Sequence, residues 1–334
     1  MANLKEEDIR PDALMEKQKV FAAVDVGRLL SRYDEFVHAN CPACGVDDSE
    51  HKFEKNGMKY VECRNCETFY INPRPTKEIL AWFYQESPNY AYWNDVIFPS
   101  SESVRREKIF APRVDRLLEL CEKYEIKTHS LLEVGAGFGT FCSELKSRDV
   151  FKKVVAVEPT PDLAETCRTK GIDVIEKPVE DVVLNKDELF DVVVNFEVIE
   201  HLFLPGEFIG AASKLLKPGG ILILTCPNGK GFDVEVLGVL SDTVDHEHLN
   251  YFNPGSLGHL LENNGLEVVE SFTPGVLDAD LVRNKILSKK FDVSSQPFFK
   301  KILLENWEEY GDAFQKFLID NKLSSNMWLV ARKR

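Results

Sequence analysis

The chain has 334 residues, 44% of them hydrophobic, and carries a formal net charge of −14. That length suits two domains, or one large domain with an attached module. The acidic balance argues against broad binding to nucleic acid, whose phosphates are held by lysine and arginine displacing counterions.

The opening MANLKEEDIR is polar and lacks an apolar h-region, and no apolar run long enough for a membrane span follows. The expected location is the cytoplasm, where eight cysteines do not build a disulfide framework. Residues 1–38 read as a helical or flexible lead. Residues 39–75 carry Cys41, Cys44, Cys63 and Cys66 in the pattern C-x2-C-x18-C-x2-C. Each C-x2-C pair aims two sulfurs at one point, and two such turns close a tetrahedron that suits Zn²⁺. Four thiolates leave no open coordination position, so this zinc is expected to be structural. Between the pairs, HKFEKNGMKYVEC reads as a hairpin turning at Asn56-Gly57. Cys121, Cys142, Cys167 and Cys226 fall in apolar patterns and read as core.

Residues 76–128, with ILAWFYQESPNYAYW and VRREKIFAPRVDRLLELCEKY, read as a helical linker or cap. Over 129–334, the apolar runs LLEV, VVAVEP, DVVVNF, ILILTCPN, EVVESF and MWLVARK alternate with amphipathic segments. That alternation means βαβ units and a parallel sheet buried on both faces, an α/β fold. LLKPGGILILTCPN reads as a helix end, a turn and the fifth strand. The first strand runs into EVGAGFGTF, where Gly135, Gly137 and Gly139 let the backbone pass close to a ligand. Glu158 ends the second strand, placed to accept hydrogen bonds from a ribose diol. Thr140 follows Gly139, so the spacing departs from the dinucleotide pattern G-x-G-x-x-G.

With Glu133 ahead of the glycines and NFEVIEHL closing the fourth strand, this ensemble resembles the class I S-adenosylmethionine-dependent methyltransferases over residues 129–275, reaching 334 with the last strand. The resemblance implies a Rossmann-like, doubly wound, seven-stranded sheet with its last strand antiparallel. Residues 276–325 would be a helical insertion between the last two strands, packed as a cap. Gly135 and Gly137, with Ala136 between them and Glu133 ahead, would meet the methionine part and ribose of S-adenosylmethionine. Glu158, followed by Pro159, would bind the ribose hydroxyls, and Val179 and Glu180 would lie against the adenine. Phe196 and Glu197 would sit beside the cofactor. Glu197, Glu200 and His201 also resemble a segment of the quinone O-methyltransferases where such residues can take Mg²⁺, since carboxylates at i and i+3 share a helix face. The favoured role for His201 is packing over the cofactor.

The stretch DHEHLNY at 245–251 leaves the fifth strand and overhangs the carboxyl ends of the sheet, where ligands bind in such folds. His246 and His248, at i and i+2, face the same way if the segment is extended. The four-cysteine module, YINPRP, the methyltransferase pattern and an EH…YF…SL segment together are similar to bacterial methyltransferases of sugar and polysaccharide pathways. Their better-understood kin are C-methyltransferases of nucleotide-linked keto-deoxysugars. That likeness implies deprotonation served by Glu247 and His248, and an upstream tyrosine corresponding to Tyr92 or Tyr90. His246 joins the catalytic candidates without an assigned role. Asp245 stands where that group has a tyrosine, so the substrate is not carried over with the residues.

The expected function is methyl transfer to a small-molecule acceptor, a sugar or a nucleotide-linked or polysaccharide-pathway intermediate, with His248 as proton acceptor. A second reading is methylation of RNA or protein recruited by the zinc ribbon, which a basic face from 102–113 and 284–301 would favour. A third is a domain that binds cofactor without chemistry, against which Glu133, Gly135, Gly137 and Glu158 all count.

Overall fold

The computed structural model describes residues 6–334, so the start of the expected N-terminal segment, residues 1–5, lies outside the described residues. A helix at Asp12–Leu30 leads into a small antiparallel sheet. Its strands β1 (Ser49–Lys55), β2 (Met58–Cys63) and β3 (Phe69–Ile71) are joined at the far edge by β9 (Asn250–Tyr251), in the order β1-β2-β3-β9. Asn56 and Gly57 turn the β1–β2 hairpin with φ of 51° and 72°. Two positive φ values in a two-residue loop match the right-handed twist of the flanking strands, and Asn-Gly adopts them at little cost.

The large sheet contains β4 (Ser130–Val134), β5 (Lys153–Val157), β6 (Asp173–Ile175), β7 (Phe190–Phe196), β8 (Leu216–Pro227), β10 (Leu266–Phe272) and β11 (Asn326–Lys333). Their order is β10-β11-β8-β7-β4-β5-β6. β4 to β8 pair in parallel, and β11 runs antiparallel to both β8 and β10. Successive residues on a strand point to opposite faces. Accordingly Leu132, Val193 and Leu222 enter one core cluster while Leu131, Val192 and Ile221 enter the other. Continuous apolar strands are what a sheet covered on both sides requires. Cys121, Cys142 and Cys167 lie in one of these cores and Cys226 in the other.

One local expectation differs. The preceding helix, Pro205–Lys214, ends earlier, and β8 already begins at Leu216, so KPGG belongs to the strand. Gly219 takes φ 79° there, and a side chain at Gly220 would sit 2.8 Å from the Asp191 carbonyl. The tight approach of β8 to β7 thus absorbs the turn into the sheet.

Helical turns run almost without a break from Pro88 to Lys123, with π-type turns at Trp93–Ile97 and Arg106–Phe110. Between β10 and β11, helices Asp278–Leu287 and Trp307–Asp320 pack through Val282 and Leu318 against Phe232 and Leu237 of the helix Phe232–Leu237. These helices and the N-terminal one wall a cleft over the carboxyl ends of the parallel strands.

Candidate active site

The cleft has a volume of about 3090 Å³. Pockets for single small ligands are usually about 300–1,000 Å³, so there is room for a cofactor and an acceptor together. Every residue expected at the cofactor, from Glu133 to His201, lines this one cleft, and so do Asp245, His246, Glu247 and His248.

Its floor is built by the turn after β4. Gly135, Gly137 and Gly139 have φ of 76°, 54° and 67°, a region that side chains other than glycine rarely adopt. A side chain at Gly135 would meet Val198 Cγ2 at 2.7 Å, whereas the space over Gly137 is open. The Gly137 N–H donates to Glu158 Oε2 (2.8 Å) and the Thr160 N–H to Glu158 Oε1 (3.0 Å). A carboxylate has further lone pairs, so Glu158 can still accept from a diol. Glu133 is buried, one of its oxygens has no partner, and burial pushes it up to about 8. Val179 and Glu180 form a short 3₁₀ turn after β6. Phe196 packs edge-on to Phe141, with the Arg113 guanidinium 4.6 Å above its ring. The open cradle at Gly137, the carboxylate at Glu158 and the apolar wall at Val179 and Phe196 fit an adenosyl amino-acid cofactor.

The turn at 245–248 departs from the extended geometry expected for it. The Asp245 carboxylate accepts from the backbone N–H groups of Glu247 and His248, both at 2.9 Å, and curls the segment. The two histidines therefore diverge. His246 is buried edge-on to Phe83, with Nε2 unpartnered. His248 lies 4.7 Å from the His201 ring, and its Nδ1–H donates to the Thr243 carbonyl (2.9 Å). The carboxylate beside His248 Nδ1 is Asp245, at 3.6 Å. Glu247 reaches instead toward Asn89, whose Nδ2 donates to Oε1 at 2.7 Å. Burial, with the Asp245 charge, pushes Glu247 up to about 8.

Tyr92 packs away from the cleft, against Phe21 at 5.3 Å. Tyr90 is the tyrosine of that helix on the cleft, 5.6 Å from Tyr84, and burial pushes it up to about 12. Tyr84 was not foreseen from the sequence; its hydroxyl lies 3.2 Å from His201 Nδ1. Burial, aided by His248, pushes His201 down to about 3, so this imidazole is neutral.

The less favoured Mg²⁺ reading finds no matching ligand set among the described residues. Glu197, with φ 56°, turns its carboxylate to Thr225 Oγ1 (2.5 Å) and Asn326 Nδ2 (3.1 Å). Glu200 and His201 converge instead with His248, their ligand-type atoms within 4.8 Å of one another. One carboxylate and two imidazoles do not suit Mg²⁺, which takes oxygen ligands in octahedral array.

The four cysteines come together as their spacing requires. The Gly45 and Glu67 N–H groups donate to the Cys41 and Cys63 carbonyls, both at 2.9 Å, giving two like turns. Sγ atoms of Cys41 and Cys66 are 3.4 Å apart, those of Cys44 and Cys63 3.6 Å, and all four lie within 4.8 Å. A tetrahedron with Zn–S bonds of about 2.3 Å has edges of about 3.8 Å, so the set fits zinc. The same small sheet grips the 245–253 loop. Phe69 stacks on Tyr251 at 4.2 Å, and Asn253 Nδ2 donates to the Cys66 carbonyl (2.9 Å). The Tyr60 hydroxyl donates to the Asp245 carbonyl (2.6 Å), and the Asp245 N–H donates to the Tyr251 hydroxyl (2.9 Å).

A family model described as a methyltransferase domain matches residues 104–271. The chain belongs to that family. Among curated relatives, the methyltransferase is 29% identical to C-methyltransferase NovU of Streptomyces niveus over 172 residues, which is 50% of this chain and 40% of that protein. It is 30% identical over 166 residues to a ubiquinone biosynthesis O-methyltransferase of Xanthomonas euvesicatoria pv. vesicatoria, covering 46% of this chain and 69% of the relative. The match to NovU thus spans less than half of that relative's length. A solved S-adenosylmethionine-dependent methyltransferase from Archaeoglobus fulgidus superposes with a TM-score of 0.47 and 18% identity, covering 72% of this chain and all of the other.

Proposed function

We propose that this methyltransferase transfers the methyl group of S-adenosylmethionine to a small-molecule acceptor, a sugar or a nucleotide-linked or polysaccharide-pathway intermediate, with His248 as proton acceptor and Glu247 as its acid partner. The carrying observation is that both groups are anchored on one turn in the cleft that the glycine loop also lines. Bound at Gly135–Gly137, Glu158, Val179 and Phe196, the cofactor supplies an electrophilic methyl group. Zn²⁺ held by Cys41, Cys44, Cys63 and Cys66 would do structural work only.

His248 has its Nδ1–H fixed on the Thr243 carbonyl, which leaves Nε2 as the lone-pair nitrogen. As the acceptor's oxygen or carbon bonds to the methyl carbon and the S–CH₃ bond breaks, the acceptor proton passes to Nε2. Asp245, 3.6 Å from Nδ1, stabilises the imidazolium that forms. Glu247 still carries its proton near neutral pH, because burial holds it up at about 8. It therefore donates a hydrogen bond to an acceptor oxygen, so Glu247 takes the acid role and His248 the base role. An acidic carbon beside a carbonyl and a plain hydroxyl both meet this arrangement. The names of NovU and of the ubiquinone relatives carry one acceptor atom each.

The test uses purified protein, methyl-labelled S-adenosylmethionine and the small-molecule fraction of a cell extract. His248→Ala is expected to lower label transfer by about 10²–10⁴-fold, the usual worth of a positioned base, with cofactor affinity changed by less than about threefold. Undiminished transfer would remove His248 from the reaction.

A further inference from the structure

Glu247 does not stand alone on its turn; the N-terminal helices reach across the cleft to hold it. Asn89 is buried in the short helix Pro88–Tyr92, and its side-chain amide is committed at both ends. Oδ1 accepts from Gln18 Nε2 (2.9 Å), and Nδ2 donates to Glu247 Oε1 (2.7 Å). Because a glutamine Nε2 can only donate, its contact fixes which end of the Asn89 amide faces Glu247. The Asn89 backbone is pinned as well. Its N–H donates to Asp25 Oδ2 (3.2 Å), which also accepts from the Ser87 hydroxyl (2.5 Å). Asp25 and Gln18 both belong to the helix Asp12–Leu30, outside the residues matched by the family model.

We infer that Asn89 is a positioning residue for Glu247, and that the N-terminal helix sets its geometry through Gln18 and Asp25. The argument rests on the acid role of Glu247 proposed above. A protonated carboxyl has one oxygen that accepts and one that donates. With Oε1 already accepting from Asn89, the proton belongs on Oε2 of this cleft-lining residue. Without Asn89, the proton could sit on either oxygen and the carboxyl could rotate, so the donor would no longer be aimed. The charged and titratable groups facing Glu247 are Asp25 from the N-terminal helix, Tyr84, Tyr90, His201, and Asp245 and His246 from its own turn. None of the others is within hydrogen-bond reach of Oε1: His246 Nε2, unpartnered, stays 3.9 Å away.

The experiment is a double-mutant cycle on the full chain, read as label transfer from S-adenosylmethionine into the small-molecule fraction of cell extract. Asn89→Ala should lower the maximal rate about tenfold, the scale of a lost hydrogen bond to an ionisable group, with cofactor affinity within about twofold. In a Glu247→Ala background the same change should add less than about a twofold effect, since its target is gone. Gln18 is only half-buried, so Gln18→Ala is the milder probe, with thermal unfolding expected to match wild type. It should lower the rate about threefold in wild type and not at all beside Asn89→Ala. Removing the Asn89 donor should also move the alkaline fall of the rate to higher pH, a change that a merely structural role would not produce. Equal losses from Asn89→Ala with and without Glu247 would overturn the inference. A Glu247→Ala variant of full activity would instead overturn the acid role itself, so the two failures are distinguishable.

Discussion

Burial and the neighbouring Asp245 charge raise Glu247 to about 8, so it changes from donor to anion across the slightly alkaline range. If its proton is used, the rate is full below that point and falls as pH rises through it. Glu247→Gln keeps a donor on the same stem and cannot ionise. It should therefore retain much of the neutral-pH rate and lose the alkaline fall, measured as initial rate against pH between about 6 and 10. The same raised value means that the buried anion opposes folding, so this group's contribution to stability is also lost as pH rises toward 8. The glycine turn after β4 and the acid beyond β5 were legible as parts of one cleft because strand-to-helix turns are local: glycine spacing and one acid on the next strand suffice. The acid–base geometry was less so. Asp245 was read as a substitution for a tyrosine, but its carboxylate caps two backbone N–H groups and bends the turn, which separates His246 from His248. Tyr90 and Tyr92 differ by half a helical turn, and only the packing of Tyr92 on Phe21 decides which one meets the cleft.

The small sheet was legible as a four-cysteine hairpin from its cysteine spacing and its Asn-Gly turn. Its fourth strand was not, because β9 comes from residues about two hundred positions downstream and is only two residues long. Short strands carry no periodicity of their own. That strand makes the cysteine module a clamp on the 245–248 turn, with Tyr60 and Tyr251 holding the carbonyl and N–H of Asp245. Zinc loss should accordingly disturb chemistry as well as stability. Stripping the metal with a chelator, or replacing Cys44 by Ser, should lower the thermal midpoint and reduce label transfer more than about tenfold. Cofactor affinity, if it resides on the large sheet as proposed, should change by less than about threefold. Loss of cofactor binding in parallel with the rate would place the module's role in folding alone.

On the scale of the whole molecule, the acidic chain and the paired surface cations bear on what is methylated. Within the two stretches suspected of forming a basic face, Arg106 pairs with Glu144, Lys285 with Asp242 and Lys300 with Glu305. Arg105 donates to the Ile9 carbonyl, and Arg113 is drawn to Glu197 inside the cleft. Cations spent on their own chain are poor partners for phosphate; Lys289, Lys290 and Lys301 stay exposed, but the net charge of −14 repels a polyanion. No described helix is long and apolar enough to cross a membrane. A cleft of about 3090 Å³ walled by the N-terminal helix, the Pro88–Lys123 helical run and the insertion suits a sizeable small molecule better than a flat macromolecular surface. The measurement that bears on this most directly is the partition of label. Cell extract is separated into small-molecule, RNA and protein pools, and each is incubated with the methyltransferase and methyl-labelled S-adenosylmethionine. Label in the small-molecule pool alone, lost with His248→Ala, is the predicted result; label in RNA or protein would contradict it and make the cysteine module a recruiting surface.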